Sequence, residues 1–98
     1  GFYPTNFFKP VSQLDVDIEL LPNPAVDVLR VNLDFGETVK SGTVTLMDGL
    51  GKTMRLERLS NFQNGQLTFN VNDLASGTYL LSVRTPEGVA IRKVMVCH

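Results

Sequence analysis

The sequence predicts an all-β domain, an antiparallel β-sandwich of immunoglobulin-like kind with about seven strands. Apolar and polar residues alternate in short runs such as "LDVDIEL" (14–20), which is the period of a half-buried strand. Turn-forming residues separate the runs at roughly the 8- to 12-residue spacing of sandwich folds. No stretch has the period of an amphipathic helix, and 98 residues suffice for one small domain.

The first predicted strand begins at Leu14 and presents acids on one side only. Asp15, Asp17 and Glu19 alternate with apolar residues, so they point to one face. Residues two apart on a strand are about 6.6–6.8 Å apart, too far for one calcium ion to collect all three carboxylates. We interpret them as a solvated outer face that discourages edge-to-edge pairing.

The remaining strands follow turns rich in proline, glycine and asparagine. "PNP" (22–24) ends the first strand, and the next begins after its last proline because proline cannot donate to a ladder. "DGLGK" (48–52) indicates a hairpin, and "NFQNGQ" (61–66) indicates another turn, with Asn64-Gly65 as its strongest signal. The predicted strands are 25–35, 43–47, 53–59 and 67–71, the run that contains Tyr79, Leu81 and Val83, and 90–96 after the "PEG" turn.

Charge and composition argue against several kinds of partner and against catalysis. The formal net charge is −1, from nine basic and ten acidic residues, which does not favour nucleic acid. No apolar run approaches ~18 residues, so no membrane insertion is expected. Cys97 is the only cysteine and His98 the only histidine. We interpret Cys97 as a small apolar residue at a strand end. The alternatives are a redox thiol or a metal ligand beside His98, although two adjacent ligands are too few for a zinc site. We expect no catalytic residues, no metal and no cofactor.

Three motifs resemble one protein family. "LLPNPAVDVLRV" (20–31), "VTLMDGLGKTM" (44–54) and "LASGTYLLSVRTPEGVAIRKVMV" (74–96) resemble the C-terminal sorting domains of the bacterial type IX secretion system, in the family's order and spacing. Two departures are Leu21, where an aromatic residue is common, and the Cys97-His98 ending, where Lys or Arg is usual. We interpret the motif residues as mainly structural; they are Pro22, Asn23, Pro24, Leu29, Gly49, Gly51, Lys52, Leu74, Gly77 and Tyr79.

The resemblance implies a delivery function without catalysis. Such domains end cargo proteins that are exported through the periplasm to the outer-membrane surface or the medium. Their partners are the type IX outer-membrane translocon and a surface sortase, which commonly removes the domain and joins the cargo to anionic lipopolysaccharide. Some members keep the domain. On this basis residues 14–98 are expected to form the sorting domain and residues 1–13 a linker.

The last strand is the expected recognition element, because it ends the chain and is expected at a sheet edge. The candidate residues for translocon recognition are Arg92, Lys93, Val94, Met95 and Val96. Alternation predicts that the two valines pack inward and that Lys93 and Met95 face outward, and Arg92 with Lys93 would form a local positive patch. The alternative for this segment is a plain edge strand whose basic residues prevent aggregation.

A second function also fits a β-sandwich without an active site. This is a cell-surface adhesion or carbohydrate-binding module, which needs exposed aromatic side chains. Phe69 and Tyr79 are predicted to point inward, so that function would depend on Tyr3, Phe7 and Phe8.

Overall fold

The chain folds into antiparallel β-structure. A computed structural model describes residues 14–22 and 24–98. These residues contain no helix, and therefore no helix that could cross a membrane. The strands are β1 (Asp17–Leu21), β2 (Val28–Met47), β3 (Thr53–Asn70), β4 (Gly77–Thr85) and β5 (Gly88–Val96).

The described residues form five strands rather than the seven predicted, because two strands are long and continuous. β2 unites the predicted strands 25–35 and 43–47, and β3 unites 53–59 and 67–71. The predicted turn at Asn64-Gly65 is wrong, since both residues are paired with β2. A local turn signal was overridden here by cross-strand pairing.

The two long strands bend instead of ending. Their pairing register shifts between Asp34 and Val39. Gly36 and Asn61 adopt positive φ angles of 76° and 48° beside this shift. Glycine adopts such angles freely and asparagine tolerates them. The resulting bulge lets the chain change direction without leaving the sheet.

The bend divides the strands between two layers. In the first layer, β1 pairs with residues 30–34 of β2, and residues 64–70 of β3 pair with residues 28–34 of β2 from its other side. In the second layer, the order is the first part of β3, the last part of β2, β4 and β5. The predicted immunoglobulin-like β-sandwich is thus confirmed as the fold class, with a lower strand count.

The core lies between the layers and follows the alternation of the strands. Its fully buried side chains include Leu29 and Val31 from the first layer and Leu46, Leu81 and Val83 from the second. Burial of each such side chain contributes roughly 1.5–3 kcal/mol. The buried residues of β2 are odd-numbered as far as Val39 and even-numbered from Val44 onward, as expected when a bulge inserts extra residues into a strand.

The acidic side chains of the first strand are exposed, as the alternation predicts. Asp15, Asp17 and Glu19 face solvent, while Leu14 and Val16 are buried. Asp17 lies opposite Asp34 of β2. The outer face of the first layer is therefore polar and mainly acidic.

Candidate functional site

The candidate recognition strand, β5, lies at the edge of the second layer. Its only sheet neighbour among the described strands is β4. The edge of β5 that faces away from β4 is hydrogen-bonded to other segments at two points. The Leu14 N–H donates to the Val89 carbonyl at 3.0 Å, and Ala25 donates to the Met95 carbonyl at 2.8 Å and accepts from the Cys97 N–H at 2.9 Å. Segments on either side of β1 thus cross from the first layer and secure both ends of β5.

The five predicted recognition residues separate into buried and exposed sets. Val94 and Val96 are 3% and 1% exposed, so they pack in the core as predicted. Lys93 is exposed, and Met95 is 42% exposed. In the folded domain, only the side chains outside the core are available to a partner.

Arg92 and Lys93 do not share a face, contrary to the expected positive patch. Neighbouring residues of a strand point to opposite sides, and Lys93 is exposed whereas Arg92 is half-buried. The Arg92 guanidinium donates to the Ile91 carbonyl at 3.0 Å. Lys93 is therefore the charged residue that β5 presents on its exposed side.

The last residue is attached to the turn that precedes β4. The His98 N–H donates to the Ser76 hydroxyl at 2.9 Å, and the His98 Nε2 atom lies 2.7 Å from the Leu74 carbonyl oxygen. A histidine side chain at this position can thus fix the end of β5. No local pattern predicts these contacts, because they join positions 22 and 24 residues apart.

The "DGLGK" motif is a turn organised by one carboxylate. The Asp48 Oδ1 atom accepts from the backbone N–H groups of Leu50 and Lys52, both at 2.9 Å. Gly51 has a φ of 86°, which a residue with a Cβ rarely adopts. Gly49 has no such angle, and the Lys52 side chain is exposed. These contacts support a structural role for the motif.

The third motif contains a tyrosine corner. Tyr79 is 6% exposed, and its hydroxyl donates to the Ala75 carbonyl at 2.6 Å. This arrangement is a hallmark of immunoglobulin-like folds. Leu74 is buried beside it, and Gly77 has a φ of 157° at the start of β4. The contacts again support a structural role.

The "PNP" motif leads into the segment that closes β5. Asn23 lies outside the described residues, and Pro22 and Pro24 are exposed. Ala25, directly after them, is fully buried and pairs with Val96. Leu29, the apolar position of the motif, is 1% exposed in the core. The described part of the motif therefore places Ala25 against the last strand.

The exposed side of β5 continues across the whole second layer. We call this surface the outer face and define it by the rows that strand pairing creates. One row is Ile91, Ser82, Thr45 and Leu56; the next is Val89, Arg84, Thr43 and Arg58; and on the other side Lys93 lies opposite Leu80, which lies opposite Met47. Sequence reasoning found Lys93 and Met95 but missed their neighbours, because only the register brings these strands together.

Comparison with protein families identifies the chain. The model of the secretion system C-terminal sorting domain matches residues 19–97. The chain belongs to this family. As a type IX sorting domain it carries a signal for that secretion system, which implies interaction with the type IX machinery and export to the cell surface or the medium.

Solved structures share the fold of this sorting domain at low identity. Dimeric latent PorU from Porphyromonas gingivalis matches with a TM-score of 0.62 and 15% identity, over 83% of this chain and 9% of the PorU chain. The CARDB domain of the PF1109 protein from Pyrococcus furiosus, solved with di-metal ions, has a TM-score of 0.52 and 19% identity, over 85% and 88% of the two chains. A DUF3244 family protein from Bacteroides vulgatus with an immunoglobulin-like β-sandwich fold has a TM-score of 0.50 and 13% identity, over 86% and 98%.

None of the curated proteins matches the sorting domain. The chain corresponds to less than a tenth of the PorU chain. At these identities the structural matches show the fold, and the family match carries the functional assignment.

Proposed function

We propose that residues 14–98 are a non-catalytic sorting domain that the type IX outer-membrane translocon recognises in the periplasm through the exposed side of β5. Residues 1–13 would link it to a cargo protein. A surface sortase would then remove the domain and join the cargo to anionic lipopolysaccharide. The observation that carries the proposal is the family match over residues 19–97.

The geometry of β5 supports recognition at this strand. It combines buried valines, which hold it in the core, with outward residues that include Lys93 and Met95. Its ends are secured by Leu14 and Ala25. A strand held in this way presents its side chains in a fixed arrangement. This preorganisation lowers the conformational entropy that is lost when a partner binds.

A passive role agrees with the polar groups of the described residues. Their only buried polar side chains are those of Ser82 and Thr85. No three His, Cys, Asp or Glu side chains within this part of the chain lie close enough together to hold a metal ion. The di-metal ions of the CARDB structure therefore give no reason to propose a metal for this domain.

Export of a reporter tests the proposed function. The 98-residue chain is fused to the C-terminus of a reporter that carries an N-terminal signal peptide, in a bacterium with a type IX system. We expect the reporter at the cell surface or in the medium, and in the periplasm of a strain that lacks the translocon. The same location in both strains would contradict the proposal.

Mass spectrometry of the surface-exposed reporter tests the later steps. Removal by a sortase predicts a reporter that lacks residues 14–98 and carries lipopolysaccharide. Recovery of the intact fusion at the surface would show that this domain is retained. That result would reject the sortase step and leave the sorting function standing.

Deletion of residues 77–98 should also leave the cargo in the periplasm. This deletion removes the proposed recognition strand and also disrupts the fold. It removes β4 and β5 and with them core residues such as Leu81 and Val94. Surface delivery after this deletion would contradict recognition through β5. Point substitutions on exposed positions are the sharper test, because they leave the core intact.

We do not propose the carbohydrate-binding alternative, because no observation favours it. Tyr3, Phe7 and Phe8 lie outside the described residues. Within the described part of the chain, the aromatic side chains are buried or half-buried; they are Phe35, Phe62, Phe69 and Tyr79.

A further inference from the structure

The outer face has an apolar centre, formed by the half-buried Met47 and Leu80 of its two central strand segments, with exposed apolar side chains on its two edge segments. Leu56, Ile91 and Met95 are 48%, 51% and 42% exposed. Leu56 and Ile91 stand at opposite ends of one row, with Thr45 and Ser82 between them, and Met95 points to the same side as Ile91. Met47 and Leu80 lie between these edges in the neighbouring row. An apolar surface that continues across several strands and has polar residues at its rim is typical of interaction sites.

Basic residues flank this apolar centre on both sides. Arg58 and Arg84 belong to a row on one side of the row of Leu56 and Ile91, and on its other side Lys93 ends the row of Met47 and Leu80. All three are exposed. The paired positions of this face include no Asp or Glu, so the positive charges are not neutralised within it.

The outer face of the first layer has the opposite character. It presents Asp17, Glu19 and Asp34, with Arg30 as the basic residue among its paired positions. Glu19 accepts a hydrogen bond from the Asn32 amide at 3.0 Å. The two exposed faces of the domain thus differ in both charge and polarity.

We propose that the outer face of the second layer is the docking surface for a protein of the type IX machinery whose own surface has an apolar centre surrounded by Asp and Glu. This inference rests on the proposed function and extends it from β5 to all four strand segments of the layer. Residues of β3 and β4, distant in sequence from the C-terminal strand, contribute to the same surface. Complementary charges would orient the partner, and the apolar centre would supply the buried contact.

A second copy of the chain fits this surface poorly. Pairing two outer faces would place like charges opposite one another, which is unfavourable. The acidic face of the first layer matches in charge, but its row through Glu19, Asn32 and Gln66 is polar and offers nothing to the apolar centre. A lipid surface fits less well too, since three basic residues fall below the clusters of about four to eight typical of anionic membrane binding.

Paired double variants test the docking surface in the reporter fusion. Leu56→Ser with Arg84→Glu alters the outer face. The matched control, Leu21→Ser with Arg30→Glu, makes the same chemical changes on the first layer, where Leu21 is 41% exposed and Arg30 is exposed. We expect export of the first variant to fall by about tenfold or more and export of the control to stay within about twofold of the parent. Lys93→Glu against Arg30→Glu provides the same comparison if the first double variant proves unstable.

The outcomes separate this inference from the proposed function. If the parent fusion is not exported, both fail. If the parent is exported and the two double variants behave alike, whether both pass or both stop, the docking surface is wrong and the sorting function stands.

Two measurements on the purified 98-residue chain address the other occupants. We expect a monomer in sedimentation velocity and no co-sedimentation with phosphatidylglycerol vesicles. A concentration-dependent dimer that the Leu56→Ser and Arg84→Glu variant abolishes would assign the face to a second copy instead. Vesicle binding lost in the same variant would assign it to a membrane.

Discussion

Truncation of Val96 and of its neighbour Met95 should have very different effects on stability. Val96 is 1% exposed and Met95 is 42% exposed, although they are adjacent in β5. Val96→Ala removes two methyl groups, at roughly 0.8 kcal/mol each for transfer, and leaves a small cavity that adds to this loss. We expect the free energy of unfolding to fall by about 2–3 kcal/mol. Met95→Ala should change it by less than about 0.5 kcal/mol, as exposed substitutions usually do.

Thermal unfolding followed by circular dichroism measures the difference. For a domain of this size, 1 kcal/mol corresponds to about 4–8 °C in Tm, so Val96→Ala should lower Tm by roughly 8–24 °C and Met95→Ala by a few degrees at most. Equal changes in the two variants would refute the assignment of inward and outward residues in β5.

Substitutions at the same two positions, Val96 and Met95, separate folding from recognition in the export assay. At a temperature where Val96→Ala remains folded, its fusion should be exported like the parent. Met95→Glu should not be, because it adds a negative charge to the proposed contact with an acidic partner. Loss of export in the folded Val96→Ala variant would contradict recognition through exposed side chains.

Five further substitutions at four positions test the turns and close contacts, each by urea or thermal unfolding. A Cβ on Gly42 would lie 2.9 Å from a backbone oxygen of β4, so Gly42→Ala should destabilise by about 1–3 kcal/mol; Gly49→Ala, with no atom within 4 Å of its Cβ, should stay within about 0.5 kcal/mol. Tyr79→Phe removes the donor of the 2.6 Å tyrosine-corner bond and should lose about 1–2 kcal/mol. Asp48→Ala removes the acceptor of two backbone N–H groups and should lose about 1–2 kcal/mol, whereas Asp48→Asn keeps an acceptor oxygen and should lose less. Equal losses for the two glycine variants, or for the two Asp48 variants, would contradict these assignments.

The features of the fold that depend on residues close together in the sequence were predictable. Alternation placed the inward residues of β1 and β5 correctly, and the "DGLGK" turn lies where its glycines indicate. The continuity of β3 was not predictable in this way. Asn64-Gly65 is a strong turn signal, yet both residues pair with β2, and such long-range pairing leaves no local trace in the sequence.

The candidate site shows the same division. Motif matching located Lys93 and Met95 and the last strand that carries them. The residues that share a face across four strand segments are determined by the register of the strands. A bulge changes that register, and its position could not be predicted from the sequence. Leu56 and Arg84 reach the outer face only because β2 pairs with both β3 and β4 after its bend, so alternation within each strand could not identify their common surface.

The closed edge of β5 favours recognition through side chains over addition of a strand. A partner that extends the sheet needs a row of free backbone N–H and C=O groups. Here the Val89 and Met95 carbonyls and the Cys97 N–H are already bonded to Leu14 and Ala25, and the Ile91 carbonyl accepts from an arginine side chain. Among the described residues, the stretch between these bonded points is 90–94, so a strand added to this edge would have to fit between the Leu14 and Ala25 segments. The exposed side chains of the outer face, which include Leu56, Arg84 and Lys93, remain available. A partner that recognises the folded domain therefore gains more contacts from the face than from the edge.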